Sequence, residues 1–148
     1  MKIQLSKIQW GKGVLFGVLI PIISFLVVSF IIFIYGFTLG FQARGMPDVA
    51  RINQFAHQFA PRASPLLSIL LLVGAATWIG RKTPPAAYEN GVFTGIIVAV
   101  IGLGFSVISH DRLYWDELIW FVLAIGAGLF GGFLATLSGR AKESLVVK

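Results

Sequence analysis

Apolar residues along this chain come in long runs that polar clusters interrupt three times. The first run, from Val14 to about Phe37, follows Lys2, Lys7 and Lys12 and contains one proline, Pro21. Its length decides its reading. A secretory signal has an apolar core of about 7–15 residues, whereas roughly 20 residues cross a bilayer core. The run therefore predicts a first transmembrane helix, and no small-x-small cleavage pattern closes it around Phe41-Gln42-Ala43. Pro21 withholds a backbone donor, which membrane helices accommodate as a kink.

From Gln42 to Arg62 the chain is polar. Pro47-Asp48 reads as a helix start, after which Val49, Ile52, Phe55, Ala56 and Phe59 share one face. Arg51, Asn53, Gln54, His57 and Gln58 share the other. This predicts a short amphipathic helix in the first outer loop, lying either in the membrane interface or against the protein itself. Ser64-Pro65 then offers a capping hydroxyl with proline in the first turn, so the second span is expected from Ser64 to Gly80. A third runs from Gly91 to about Ser109, and a fourth from Leu118 to about Leu137 after a compact loop, His110 to Glu117. The pattern thus gives an all-α, single membrane domain of four transmembrane helices. Hairpin 1 covers about 12–82, with the insert at about 43–62, and hairpin 2 covers about 90–142.

Two signatures recur. Ala76-Thr77-x-x-Gly80-Arg81 returns as Ala135-Thr136-x-x-Gly139-Arg140, and Gly13-Val14-x-x-Gly17 returns as Gly91-Val92-x-x-Gly95. The separations are 59 positions from Gly17 to Ala76 and 40 from Gly95 to Ala135, so the difference matches the amphipathic insert. The expectation is a duplicated hairpin, its copies parallel and related by an axis along the membrane normal. Chance matching in glycine-rich apolar sequence is the competing explanation. Small residues also repeat every four positions. They run through Ala124, Gly128, Gly132 and Thr136 on the fourth span and through Gly91, Gly95 and Ala99 on the third. Gly13 and Gly17 on the first and Ala76 and Gly80 on the second are spaced alike. Such faces let helices approach closely in lipid, where packing replaces the hydrophobic effect. They are the candidate helix-packing residues.

Composition agrees with a bilayer setting. The chain of 148 residues is 57% hydrophobic and 12% charged, against roughly a quarter charged for soluble domains. The net charge of +6 does not point to nucleic acid, because the basic residues sit at the ends of apolar runs, where topology signals and lipid contacts belong. Trp10, Arg81, Lys82 and Arg140 mark one membrane boundary, with Trp78 beside them, and Trp115 and Trp120 mark the other. One side carries eight basic residues against two acidic, the other four against four. The positive-inside rule puts both termini in the cytoplasm and the protein in the cell membrane.

A Gly80-Arg81-Lys82 end on helix two, a short loop, Asn-Gly-Val-x-x-Gly opening helix three at Gly91 and Gly95, and the pairs of Gly128, Gly131 and Gly132 carry a resemblance. Over roughly the last two-thirds of its length the chain resembles an uncharacterised family of small bacterial four-helix membrane proteins. The resemblance implies the fold and no activity. The insert and the long first loop depart from that family's compact pattern.

Few residues in the chain point to chemistry. No Asp, Glu, Lys, Arg or His lies inside the four predicted spans, and proton-coupled transporters, pumps and voltage sensors need such residues. With no cysteine, disulfides and thiolate-ligated metals are excluded. His57, His110 and Asp111 are the elements of an imaginable outer-surface hydrolytic or metal site, but no metal-ligand spacing joins them. No catalytic residue, metal or cofactor is assigned. The leading expectation is a non-enzymatic accessory or structural subunit that associates with itself or another membrane protein through small-residue faces. The alternative is a channel or small-solute/lipid transporter formed between the two hairpins. Phe25, Phe30, Phe33, Phe37 and Phe41 make the first span rich in phenylalanine, facing either lipid or another subunit.

Overall fold

A computed structural model describes residues 8–43, 46, 48–110 and 115–146, with side-chain contacts described for these except 105–110, 116–117 and 139–146. It contains four α-helices, each long and apolar enough to cross a membrane. These are α1 (Trp10–Gln42), α2 (Val49–Lys82), α3 (Ala87–His110) and α4 (Trp115–Val146), with a 3-10 turn at Pro84–Ala86 leading into α3.

The contacts fix an up-down-up-down bundle. Ser24 of α1 meets Ser68 of α2, and Tyr35 meets Phe55, so α1 and α2 run antiparallel. Gly91 and Gly95 of α3 face Gly128 and Ala124 of α4, again antiparallel. Gly13 and Gly17 of α1 face Phe93 and Ile97 of α3, which makes those two parallel. Helices α1 and α4 have the least to do with each other, while α3 and α4 pack most extensively. Helices α1 and α4 therefore occupy opposite corners of a rhombus, with α2 and α3 meeting across its short diagonal. The core joins Ile20, Leu72, Val98, Ala99, Ala124 and Ala127, flanked by Phe16, Ile69 and Phe121.

The first hairpin departs from the sequence expectation. Val49 to Phe59 is helical, but it forms the opening turns of α2 and not a separate helix. Asp48 caps it, its carboxylate accepting from the Arg51 N–H at 3.2 Å, and the helix continues through Pro61 and Pro65 to Lys82. Ser64-Pro65 starts nothing. Each interior proline removes one hydrogen bond, whereas the line of the helix is held by its neighbour. Ile52 lies against Gly36, and Phe55 stacks between Tyr35 and Phe59 with ring centroids 4.1 and 5.1 Å apart. From Ile52 onward the apolar face of this segment is thus packed on α1, while Val49 is exposed, and the connection from α1 to α2 is short.

That packing produces an arm. The pairs Gln9–Asn90, Gly13–Phe93 and Gly17–Ile97 set a register of about 80 between α1 and α3, which puts His110 level with about residue 30 of α1. Helix α1 therefore outlasts α3 by about 12 residues, or about 18 Å at 1.5 Å per residue. The first turns of α2 accompany it.

Candidate functional site

Three places in the bundle hold the residues that sequence singled out. The first is the close-packed seam between α3, α4 and α2. A Cβ added at Gly91 would collide with the Gly128 carbonyl, and one at Gly128 with the Gly91 carbonyl. At Gly95 it would stand 2.8 Å from the Ala124 carbonyl oxygen, and at Gly132 2.7 Å from that of Ala87. Backbone here meets backbone, which only glycine allows. Ala99 and Ala124 are buried along the same seam, and Thr136 is half-buried at its end, its hydroxyl donating to the Phe133 carbonyl at 2.7 Å.

Helix α4 has a second small face, which the sequence reading did not separate from the first. Ala127, Gly131 and Ala135 turn toward α2, where Ala76 packs on Gly131 and Gly80 on Ala135. The Thr77 hydroxyl donates to the Val73 carbonyl at 2.7 Å and approaches the Gly131 carbonyl at 3.1 Å. The signal was present as a four-residue period at 127, 131 and 135. Gly13 and Gly17 serve a different contact. They receive the side chains of Phe93 and Ile97, so the two copies of the Gly-Val-x-x-Gly signature have non-equivalent partners.

The second place is the end of the bundle where α1 and α3 begin. Asn90 is 2% exposed. Its carbonyl oxygen accepts the Gln9 N–H at 2.8 Å, and its amide donates to the Thr83 hydroxyl at 2.9 Å. Thr83 in turn donates to the Ile79 carbonyl at 3.0 Å. One buried side chain thus ties the start of α1 to the α2–α3 corner and satisfies a helix-end donor that Gln9 itself does not cap. Around this clamp, Trp10 meets Phe93 edge-on at 4.6 Å, Trp78 meets Phe16 at 5.5 Å, and the Lys82 ammonium sits 3.8 Å above the Trp78 ring. Arg81 donates from Nε to the Ser138 hydroxyl at 3.1 Å. The side chain of Arg140 lies outside the described residues.

The third place is a cavity of about 700 Å³ in the half of the bundle nearer the α3–α4 connection. All four helices wall it, and Leu72, Ala99 and Ala124 of the core form its inner end. Pro21, Pro61 and Pro65 converge on it, as do the hydroxyls of Ser64 and Ser68. Ser68 donates to Ser24 across the α1–α2 contact at 2.8 Å. Trp120, expected at the membrane boundary, lines this cavity, while Trp115 is 82% exposed at the start of α4. Nothing in the sequence marks the cavity, because a void is set by the relative tilt of helices and carries no residue pattern.

His57 is exposed on the arm. Asp111 and the side chain of His110 lie outside the described residues. Among the described residues no three His, Asp or Glu side chains come together. No protein-family model, curated protein or solved structure matches the chain.

Proposed function

We propose that this chain is a non-enzymatic membrane protein that serves as an accessory or structural subunit, docking on another membrane protein through the arm of α1. The seams formed by Gly91, Gly95, Gly128, Gly132, Ala76 and Gly80 are filled from within the chain, so a partner has to use another surface. The observation that carries the reading is a mismatch along the arm. Where α3 and α4 end, α2 turns polar, with Arg51, Asn53, Gln54, His57, Gln58 and Arg62 exposed. At the same level α1 stays apolar. Phe33, Phe37 and Phe41 form one stripe at 66%, 67% and 81% exposure, and the hydroxyl of Thr38 is turned inward to the Ile34 carbonyl at 2.8 Å. An apolar stripe that continues past the supporting bundle needs a cover.

Placement in a bacterial cell membrane with both termini in the cytoplasm belongs to the same proposal. So does kinship with the small four-helix family that the chain resembles. A duplicated hairpin accounts for the recurring signatures, its two copies having taken on different contacts.

The test is the mass and composition of the native particle in a mild detergent or polymer disc. The expected result is a particle containing a second kind of chain, which is lost when Phe33, Phe37 and Phe41 are all replaced by Ser. A particle holding this chain alone, unchanged by the triple substitution, would sink the proposal.

The alternative, a channel or small-solute/lipid transporter between the hairpins, draws support from the cavity. A path across the molecule would have to pass Leu72, Ala76, Ile79, Asn90 and Thr94, each at most 2% exposed. Solute flux through liposomes containing the purified protein would favour this reading over the first.

A further inference from the structure

We infer that the cavity between the four helices is a binding site for one hydrocarbon chain of a membrane lipid, entering sideways past α1. Three features of the cavity lead there. It is apolar: among the described residues the hydroxyls of Ser64 and Ser68 are its polar side-chain groups apart from the Trp120 indole N–H, and no charged residue lines it. The Ser68 hydrogen is already committed to Ser24. Water needs two to four polar partners to occupy a buried site, so this volume suits water poorly. Its size falls within the range of ligand-binding cavities, which extends from about 300 to 1,000 Å³.

It is also open. Ile22, Phe25 and Leu26 form its α1 wall, yet Phe25 is 67% exposed and Leu26 58%. A sealed void would not leave them so. Because α1 and α4 barely touch, that wall faces the surroundings and not another helix. In a bilayer the surroundings at this depth are lipid chains.

The sequence keeps the space empty. A Cβ added at Gly102 would meet no atom within 4 Å, although glycine costs a helix about 1 kcal/mol relative to alanine. Pro61 and Pro65 remove the N–H groups that would bond to the His57 and Pro61 carbonyls one turn earlier, so the α2 wall at these two positions offers a ligand apolar rings and no backbone donor. The ligand class is therefore an uncharged aliphatic chain whose head stays at the membrane surface. Its source is either a two-chain phospholipid or a single-chain fatty acid.

Trp120 lies in the wall and reports on occupancy. With Trp10, Trp78 and Trp115 replaced by Phe, it is the remaining tryptophan of the four. The purified variant in a non-quenching detergent is titrated with a phospholipid carrying brominated chains and, separately, with a brominated fatty acid. The expected result is quenching that saturates near one ligand per protein. Gly102→Leu, which fills the cavity, should weaken it at least tenfold. Gly104→Leu also meets open space but lies off the cavity wall, and should leave it unchanged. Saturation by the phospholipid alone assigns a bilayer lipid; saturation by both assigns any single chain. Should Gly102→Leu fail to fold, Ser64→Leu fills the same space from α2. Quenching that rises linearly with ligand, equal in the parent and the cavity-filling variant, would overturn the inference.

Discussion

At the scale of single residues, what matters is whether a glycine meets backbone or open space. Gly128 stands against the Gly91 carbonyl, whereas a Cβ at Gly126, two positions away on the same helix, would meet nothing within 4 Å. Gly128→Ala should therefore destabilise the bundle by about 1–3 kcal/mol through overpacking. Gly126→Ala should be neutral or stabilise by up to about 1 kcal/mol through helix propensity. Thermal unfolding in detergent separates the two, and equal midpoints would refute the seam. Asn90 makes a second case. Asn90→Ala strands the Gln9 N–H and the Thr83 hydroxyl, a loss of about 1–3 kcal/mol. Its signature is local, in faster amide exchange at Gln9 and faster trypsin cleavage after Lys12. Exchange at Gln9 unchanged from the parent would show that the clamp does not hold α1. The four-residue period on α4 makes a small-residue face visible in the sequence. It does not say which neighbour meets that face, and α4 carries two such faces, one for α3 and one for α2. Asn90 was harder still to see, because one amide looks the same whether it caps a distant helix or faces water.

At the scale of elements, the count of four helices and the antiparallel order were legible because apolar run length and terminal charge encode them directly. The continuity of α2 was not. Ser64-Pro65 carries the local chemistry of a helix start, and Pro61 reinforces it. The deciding contacts, Ile52 on Gly36 and Phe55 on Tyr35, come from α1. Tertiary packing overrides a local signal here, and no window confined to 47–65 could reveal it. Spin labels at Gln54 and Leu70, both exposed on α2, test the outcome. Sixteen residues of continuous helix separate the two backbone positions by about 24 Å. A single distribution near that distance is expected, allowing for label length. A shorter, broad or double distribution would mean that the prolines break α2 into two helices.

At the scale of the whole molecule, the structure turns a charge tally into a statement about sides. Which helix ends lie together is fixed by contacts. Gln9 bonds to Asn90 and Arg81 to Ser138, so the start of α1, the α2–α3 corner and the far part of α4 share one end of the bundle. Among the described residues that end carries Lys12, Arg81, Lys82, Arg140 and Lys142 against Glu89 and Glu143, and the sequence adds Lys2, Lys7 and Lys148 in the adjoining terminal segments. By sequence, the two connections toward the other end and their flanks hold four basic residues and four acidic ones. Topology follows basic residues in short segments near the ends of spans, and an imbalance of eight against four is a large one for so small a protein. The prediction is that the clamp end faces the cytoplasm and the arm faces outward. Because the chain has no cysteine, single cysteines at Gln54 and Lys82 read the orientation without background. A membrane-impermeant maleimide applied to intact cells should label Gln54→Cys and leave Lys82→Cys untouched until the membrane is permeabilised. Reversed labelling would invert the bundle. It would then place the Phe33, Phe37 and Phe41 stripe toward a cytoplasmic partner, and the search for what covers the arm would move to that side.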